Sequence, residues 1–408
     1  MESLRSRCHV NRENEKYVGI KADSWSAMVY FPMGYRLPVA EEDIRQDILR
    51  LIAVLSEFGK TVDRALALHE NEAVCDINFP INAYIRIVRD FLERGSYYIE
   101  KNPVKKRGDR GRIDWSSSLK RNVAFYEEDG RPFFSDFTVK SAVRSEGHLL
   151  TQIHKYCVYE SFLAIGWLFT PDMPQNPHVE KNLTLFLDTL RRKLAVTYND
   201  RDKMLFQAMI AMLSEMDEET ERKQSYFGTY RFEYVWEKLI DEAFGIQEKA
   251  DYFPRTKWTL RYGEQKDNYV LKPDTVMLYN GAVYIIDAKY YRYGLTGDPS
   301  HLPSSASISK QIVYGEYASR LAWLKEKYGD SVTVYNAFLM PYNSADNRFG
   351  IHDDFANIGE AVSEWKTNDN VYERIQGVVV DVRFLLHHYY GSHQSNRREL
   401  AKAIMANP

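Results

Sequence analysis

The segment LKPDTVMLYNGAVYIIDAKYYRYG, residues 271–294, constrains the fold more than any other stretch of the chain. Two runs of aliphatic and aromatic residues flank Asn280-Gly281, a dipeptide suited to a two-residue turn because both positions tolerate φ > 0. The pattern predicts a hairpin, with strands from Tyr269 to Leu278 and from Ala282 to Ala288. Side chains alternate faces along a strand, so Asp287 and Lys289 emerge together, in line with Val283 and Ile285. Tyr284, Ile286 and Ala288 line the other face, and the turn folds Asp274 back toward Asp287.

Two carboxylates converging at a strand end suit Mg²⁺, which takes oxygen ligands and keeps several waters that phosphate oxygens can replace. A lysine beside them can orient or deprotonate an attacking water, while the metal stabilises charge on phosphate and leaving oxygen. These are the parts that phosphodiester hydrolysis requires. A third acid is expected from a helix ahead of the hairpin. FEYVWE, residues 232–237, offers Glu233 and Glu237 on one helical face; Glu233 is the first choice and Glu237 the reserve. The bland alternative makes Asp287 a strand-end cap, Lys289 a surface ion pair and Pro273-Asp274 a turn. A lone D-x-K triplet would not decide between them. The combination of a PD, a hairpin, an apolar run directly before D-A-K and a preceding helical acid favours the chemical reading.

At 408 residues the chain suits two or three domains. Periodicity predicts helices from Glu41 to about His69, Ile81 to Leu92, Leu149 to Phe169, His178 to Tyr198, Lys203 to Met216 and Tyr230 to Ala243. A short strand is expected around Met28, leading to a turn at Gly34, and a hairpin around Asp129-Gly130. After the 271–294 hairpin, a helix from Ser309 to Tyr328 and a strand from Val332 to Met340 complete a compact α/β unit. The division read from this order is 1–144, 145–222 and 223–408: a mixed partner- or DNA-contacting part, a helical connection and a catalytic domain. The expected fold class is α+β or α/β, with a mixed sheet flanked by helices at the C-terminal end.

Between Lys101 and Arg121 eight Lys or Arg stand against two Asp, and Gly108 and Gly111 suggest a flexible loop. Lys105, Lys106, Arg107, Arg110 and Arg112 either contact DNA phosphates or decorate a solvated linker. The formal charge of −3 gives no global attraction to nucleic acid, so any contact must be local. Three scattered cysteines, Cys8, Cys75 and Cys157, fit neither a disulfide framework nor a zinc site. His387-His388 lacks acidic or thiol neighbours at ligand spacing and reads as structural. No long apolar span or signal-peptide pattern appears, so a cytoplasmic protein is expected. There is no GxxxxGK[ST] stretch, which argues against nucleotide binding by a P-loop.

LKPDT and YIIDAKYYRYG, followed by LPSSASISKQIVYGEYA, resemble the LlaJI family of restriction endonuclease subunits. That family is similar to the McrC nuclease subunits of GTP-dependent restriction systems. FGTYRFEYVWEKLI, GRIDWSSSLKR and IHKYCVYESF resemble further segments of those families. The resemblance implies a PD-(D/E)xK nuclease core in which Asp274 and Asp287 bind metal, Lys289 is the catalytic lysine and Glu233 is the helical acid. Gln311 matches a glutamine that related nucleases place beside the site. Several relatives carry a Tyr four positions later, where this chain has Gly315. The implied cofactor is Mg²⁺, with Mn²⁺ as a substitute, and GTP enters only through the partner. The implied partners are double-stranded DNA and a separate McrB-like AAA+ GTPase. A single nuclease centre cleaves one strand, so double-strand cutting requires a second copy of the nuclease or two sequential events. Two rivals are a stand-alone PD-(D/E)xK nuclease in restriction or repair and a non-catalytic subunit that stimulates a GTPase.

Overall fold

The structure, a computed structural model, describes residues 3–22, 27–66, 79–99, 101–108, 112–127, 129–144, 149–216, 225–263, 266–267, 270–329, 332–391 and 394–406. The chain forms two compact units, Met1–Asn78 with Gln224–Pro408, and Phe79–Lys223. The three-part division drawn from sequence order cuts elsewhere, because contact in space assigns residues 1–78 to the same unit as the C-terminal part.

The first unit opens with β1 (Cys8–Val10), β2 (Val18–Ala22) and β3 (Ala27–Phe31), followed by α1 (Glu41–Leu66). The strand expected around Met28 is β3, and the turn after it uses Gly34 at φ +78°. In α1, Glu41, Glu42 and Asp43 occupy the first turn, where they complement the helix dipole. Ile44, Ile48, Leu51, Ile52 and Leu55 are buried, as their spacing predicts.

The second unit contains α2 (Ile81–Arg94), β4 (Lys101–Arg107), β5 (Arg112–Ile113), α3 (Trp115–Arg121), β6 (Phe125–Tyr126), β7 (Pro132–Phe133), β8 (Thr138–Arg144), α4 (Leu149–Ile165), α5 (Leu183–Ala195) and α6 (Asp200–Ser214). Ile87, Val88, Ile153, Cys157, Phe206 and Met209 of its helices are buried. Buried Asp90 accepts from Arg94 Nε at 2.6 Å and Arg201 Nε at 2.7 Å. The hairpin expected around Gly130 is β6–β7. The stretch expected to be a flexible loop is instead strand β4, paired antiparallel with β8 from Lys101↔Arg144 to Arg107↔Thr138. A ladder uses backbone groups, so a partner strand 37 residues or so away in sequence orders a segment whose side chains suggest solvent.

The first unit resumes with β9 (Ser225–Thr229), which joins a sheet of order β1-β3-β2-β9. It continues with α7 (Phe232–Phe244), β10 (Lys257–Trp258), β11 (Lys266–Asp267), β12 (Thr275–Tyr279), β13 (Ala282–Ala288), α8 (Tyr293–Thr296), α9 (Ser305–Ser319) and α10 (Ala322–Tyr328). Next come β14 (Val334–Tyr342), β15 (Phe355–Ala361), β16 (Ile375–Asp381), α11 (Val382–His388) and α12 (Gln394–Met405). A sheet of order β12-β13-β14-β16-β15 carries parallel strands β13, β14 and β16 at its centre and antiparallel strands at its edges. The fold is therefore mixed α+β. Val283 and Ile285 of β13 pack against Tyr314 and Ala318 of α9 and Leu324 of α10. The helix expected from Ser309 to Tyr328 is two helices, because Leu321 adopts an extended backbone (φ −67°, ψ 110°) between them.

Asp47 of α1 is 1% exposed and receives Arg383 Nε at 2.8 Å and His387 Nε2 at 2.6 Å from α11. His388 Nδ1 lies 2.9 Å from the Phe384 carbonyl, so both histidines are structural. Cys8 and Cys157 are free thiols, and Cys75 lies outside the described residues. Among the described residues no helix is long and apolar enough to cross a membrane.

Candidate active site

Asn280 and Gly281 adopt φ +49° and +76°, the left-handed pair that joins twisted antiparallel strands tightly. That turn fixes the register of β12 and β13, from Tyr279↔Ala282 to Thr275↔Ile286. Continuing it by one position sets Asp274 beside Asp287 on the same face. Asp274 Oδ2 accepts from the Ala288 amide at 2.9 Å, which turns the carboxylate toward the end of β13.

Three elements pin the Lys272–Asp274 segment. The Tyr314 hydroxyl of α9 donates to the Lys272 carbonyl at 2.9 Å. Lys249 Nζ donates to the Asp274 carbonyl at 2.5 Å while pairing with Asp241 of α7 at 2.7 Å. The third is the Ala288 amide already described.

Asp287 is 3% exposed, and Lys289 Nζ stands 2.5 Å from its Oδ2. The Lys289 amide donates to the Leu339 carbonyl of β14 at 2.8 Å, so the lysine is held by the sheet as well as by its ion pair. Burial works against the Lys289 charge, but the attraction of Asp287 and Asp274 outweighs it and keeps the ammonium protonated. Burial, the neighbouring charges of Asp287 and Glu237, and a hydrogen bond to Asp287 push the Asp274 carboxyl up to about 8. A second negative charge on this pair is therefore disfavoured until a further cation arrives.

The two helical acids occupy different surroundings. Glu233 is partnered by Arg231, whose Nε lies 3.2 Å from its Oε1. Glu237 is raised above the usual carboxylate range, by burial first and then by the charge of Asp287. Its neighbour Trp236 is fully buried and reaches the Leu339 carbonyl with Nε1 at 3.4 Å, which seats α7 against β14. The sequence pattern put both glutamates on one face and could not tell which one feels the acid pair.

Gln311 is 1% exposed, and its Nε2 donates to the Ile285 carbonyl at 2.8 Å and to Asn336 Oδ1 at 3.3 Å. The side chain thus grips β13 two residues before Asp287. Gly315 has a direct explanation: a Cβ there would meet Asn336 Nδ2 at 2.4 Å and Tyr372 Cβ at 2.7 Å. No tyrosine fits at that position in this chain, and the hydroxyl near the hairpin comes from Tyr314 instead.

The basic segment lies in the other unit. Arg107 and Arg112 are exposed on β4 and β5, Lys105 and Lys106 are described by their backbone in β4 alone, and Arg110 lies outside the described residues.

Among the described residues no three His, Cys, Asp or Glu side chains form a ready metal cage. Asp274 and Asp287 supply two carboxylates, and Glu237 reaches them through charge. A sparse, hard-oxygen donor set of this kind fits Mg²⁺, which retains much of its water, better than it fits zinc.

A buried acid pair and a lysine at the end of a mixed sheet belong here to a restriction endonuclease chain. Specifically, the protein belongs to the LlaJI restriction endonuclease family, whose profile residues 17–360 match. A chain of a refined half-complex, from a tetradecameric assembly of Thermococcus gammatolerans McrB AAA+ hexamers with bound McrC, is similar at 14% identity and a TM-score of 0.37, covering 96% of this chain and 83% of that one. No curated protein matches the sequence.

Proposed function

We propose that this chain is the nuclease subunit of a McrBC-like restriction system, hydrolysing DNA phosphodiester bonds in defence against foreign DNA. The single observation that carries this reading is the juxtaposition of Asp274, Asp287 and Lys289 at one strand end, within a restriction endonuclease family member. Asp274 and Asp287 would hold Mg²⁺ or Mn²⁺, with Glu237 rather than Glu233 as the helical acid. The ion would supply positive charge to the phosphate and the departing oxygen.

The chain's own groups set up the rest. Lys289, held protonated by its pair with Asp287, orients the attacking water and steadies charge on the phosphate. Gln311 and the Tyr314 hydroxyl act at one remove, by fixing the strand and the Pro273-Asp274 turn. The sequence resemblance to McrC subunits supports a separate AAA+ GTPase partner. GTP would then act through that partner, and paired cuts would need a second nuclease copy or two sequential events.

The test is plasmid cleavage with Mg²⁺, with and without GTP and the product of a neighbouring McrB-like gene. Asp287→Ala and Lys289→Ala should each lower cleavage by about 10²-fold or more while stimulation of the partner's GTPase survives. Undiminished cleavage by the assembled variants would remove the nuclease assignment.

A further inference from the structure

The lysine of the D-x-K triplet is already committed. Its ammonium lies 2.5 Å from Asp287 Oδ2, and its side chain is only 18% exposed. Lys289 is thus engaged with the acids and leaves the incoming phosphate anion to be met by another cation. Such a cation stands on the helix that grips the hairpin. Lys310 is exposed on α9, next to Gln311 and one turn before Tyr314.

Its position follows from the residues around it. Gln311 faces β13 and Tyr314 faces the Lys272 carbonyl, so α9 is fixed in rotation by two hydrogen bonds of 2.8 and 2.9 Å. Residues four apart share a helix face, so Lys310 lies along the Tyr314 side, toward Asp274. Its Nζ stands 5.4 Å from the Tyr314 ring centroid. Partial burial opposes its charge, but the Tyr314 hydroxyl and the Asp287 and Asp274 carboxylates hold it protonated above the ordinary lysine range.

We propose that Lys310 is a phosphate-contacting residue of this site, gripping a non-bridging oxygen of the DNA phosphodiester at or next to the scissile bond. The inference rests on the nuclease reading and adds a substrate contact to it. A lysine suits the role because a flexible stem carries a compact charge to an oxygen whose position varies along the strand. Lys289 organises the acids, and Lys310 meets the incoming anion.

The experiment measures duplex DNA binding by the full chain against salt concentration in Ca²⁺, alongside steady-state cleavage in Mg²⁺ by the complete system. Lys310→Ala should lower the slope of log K against log salt by about 0.9, the release expected for one lost phosphate contact. It should also raise KM several-fold with a smaller effect on kcat, and Lys310→Arg should recover both. An unchanged slope in Lys310→Ala, or a loss confined to kcat, would overturn the proposal even if wild-type cleavage is normal. If wild-type protein neither binds nor cuts DNA with its partner present, the nuclease reading itself fails, and the Lys310 contact goes with it.

Discussion

Gln311 and Asn336 hold each other across the boundary between α9 and β14: Gln311 Nε2 donates to Asn336 Oδ1 at 3.3 Å, and Asn336 Nδ2 donates to the Gln311 carbonyl at 2.9 Å. Asn336 is fully buried and also donates to the Tyr372 carbonyl at 2.6 Å, so the pair ties the helix, the central strand and the segment before β16 together. Removing either amide leaves buried partners unmade. Gln311→Ala and Asn336→Ala should each cost about 1–3 kcal/mol in urea unfolding. The double variant should cost less than the sum. Additive losses would show that the two amides act independently.

Gly315 is tested by adding atoms. Gly315→Ala places a methyl 2.4 Å from Asn336 Nδ2 and should lower stability by about 1–3 kcal/mol, and Gly315→Tyr should do more harm. A thermal melt of Gly315→Tyr matching wild type would mean that the α9–β14 contact opens freely.

Glu233 and Glu237 separate cleanly by substitution. Glu237→Gln should reduce Mg²⁺-dependent cleavage by about 10²-fold. Glu233→Gln removes one ion-pair partner of Arg231, so cleavage should stay within several-fold of wild type. The reverse order of effects would restore Glu233 as the helical acid.

Asp274 makes stability depend on pH in a defined direction, and the proposed metal binding would depend on pH with it. Its carboxyl is raised from 3.8 to about 8 in the folded chain, so between those values the native state holds more protons than the unfolded state. Without metal, stability falls as pH rises through that window. Mg²⁺ favours the ionised form and displaces the proton, so the thermal shift it produces should be larger at about pH 8.5 than at about pH 6. Asp274→Asn should abolish this difference, and an equal shift at both pH values would contradict the linkage.

Asp47 has the opposite sign. Burial alone would raise its carboxyl, but hydrogen bonds from His387, Arg383 and Tyr35 prevail and hold it below 3.8. The stability it contributes is present above that value and is lost as pH falls through the native pKa. Asp47→Ala strands Arg383 against a buried gap and should cost about 3 kcal/mol at neutral pH, read by chemical denaturation. A cost below half of that would place the join between α1 and α11 elsewhere.

Much of the site was legible in the linear chain because the relevant physics is local. A positive-φ Asn280-Gly281 turn fixes the β12–β13 register, strand alternation puts Asp287 and Lys289 on one face, and the same turn returns Asp274 to them. Helix periodicity likewise set the buried row of α1. What the sequence could not decide depends on partners distant along the chain. The charged residues of β4 form a strand because β8 offers a backbone ladder. Which helical acid feels the charge of Asp287 depends on how α7 packs, and it is Glu237 whose carboxyl is raised, by burial first and then by that charge. Residues 1–78 belong with the C-terminal part through contacts such as Asp47 with Arg383, which residue spacing does not encode. Local pattern determined which chemical groups the chain carries and which strand face presents them. Only the tertiary structure decided which charges lie close enough, in surroundings dry enough, to act on one another.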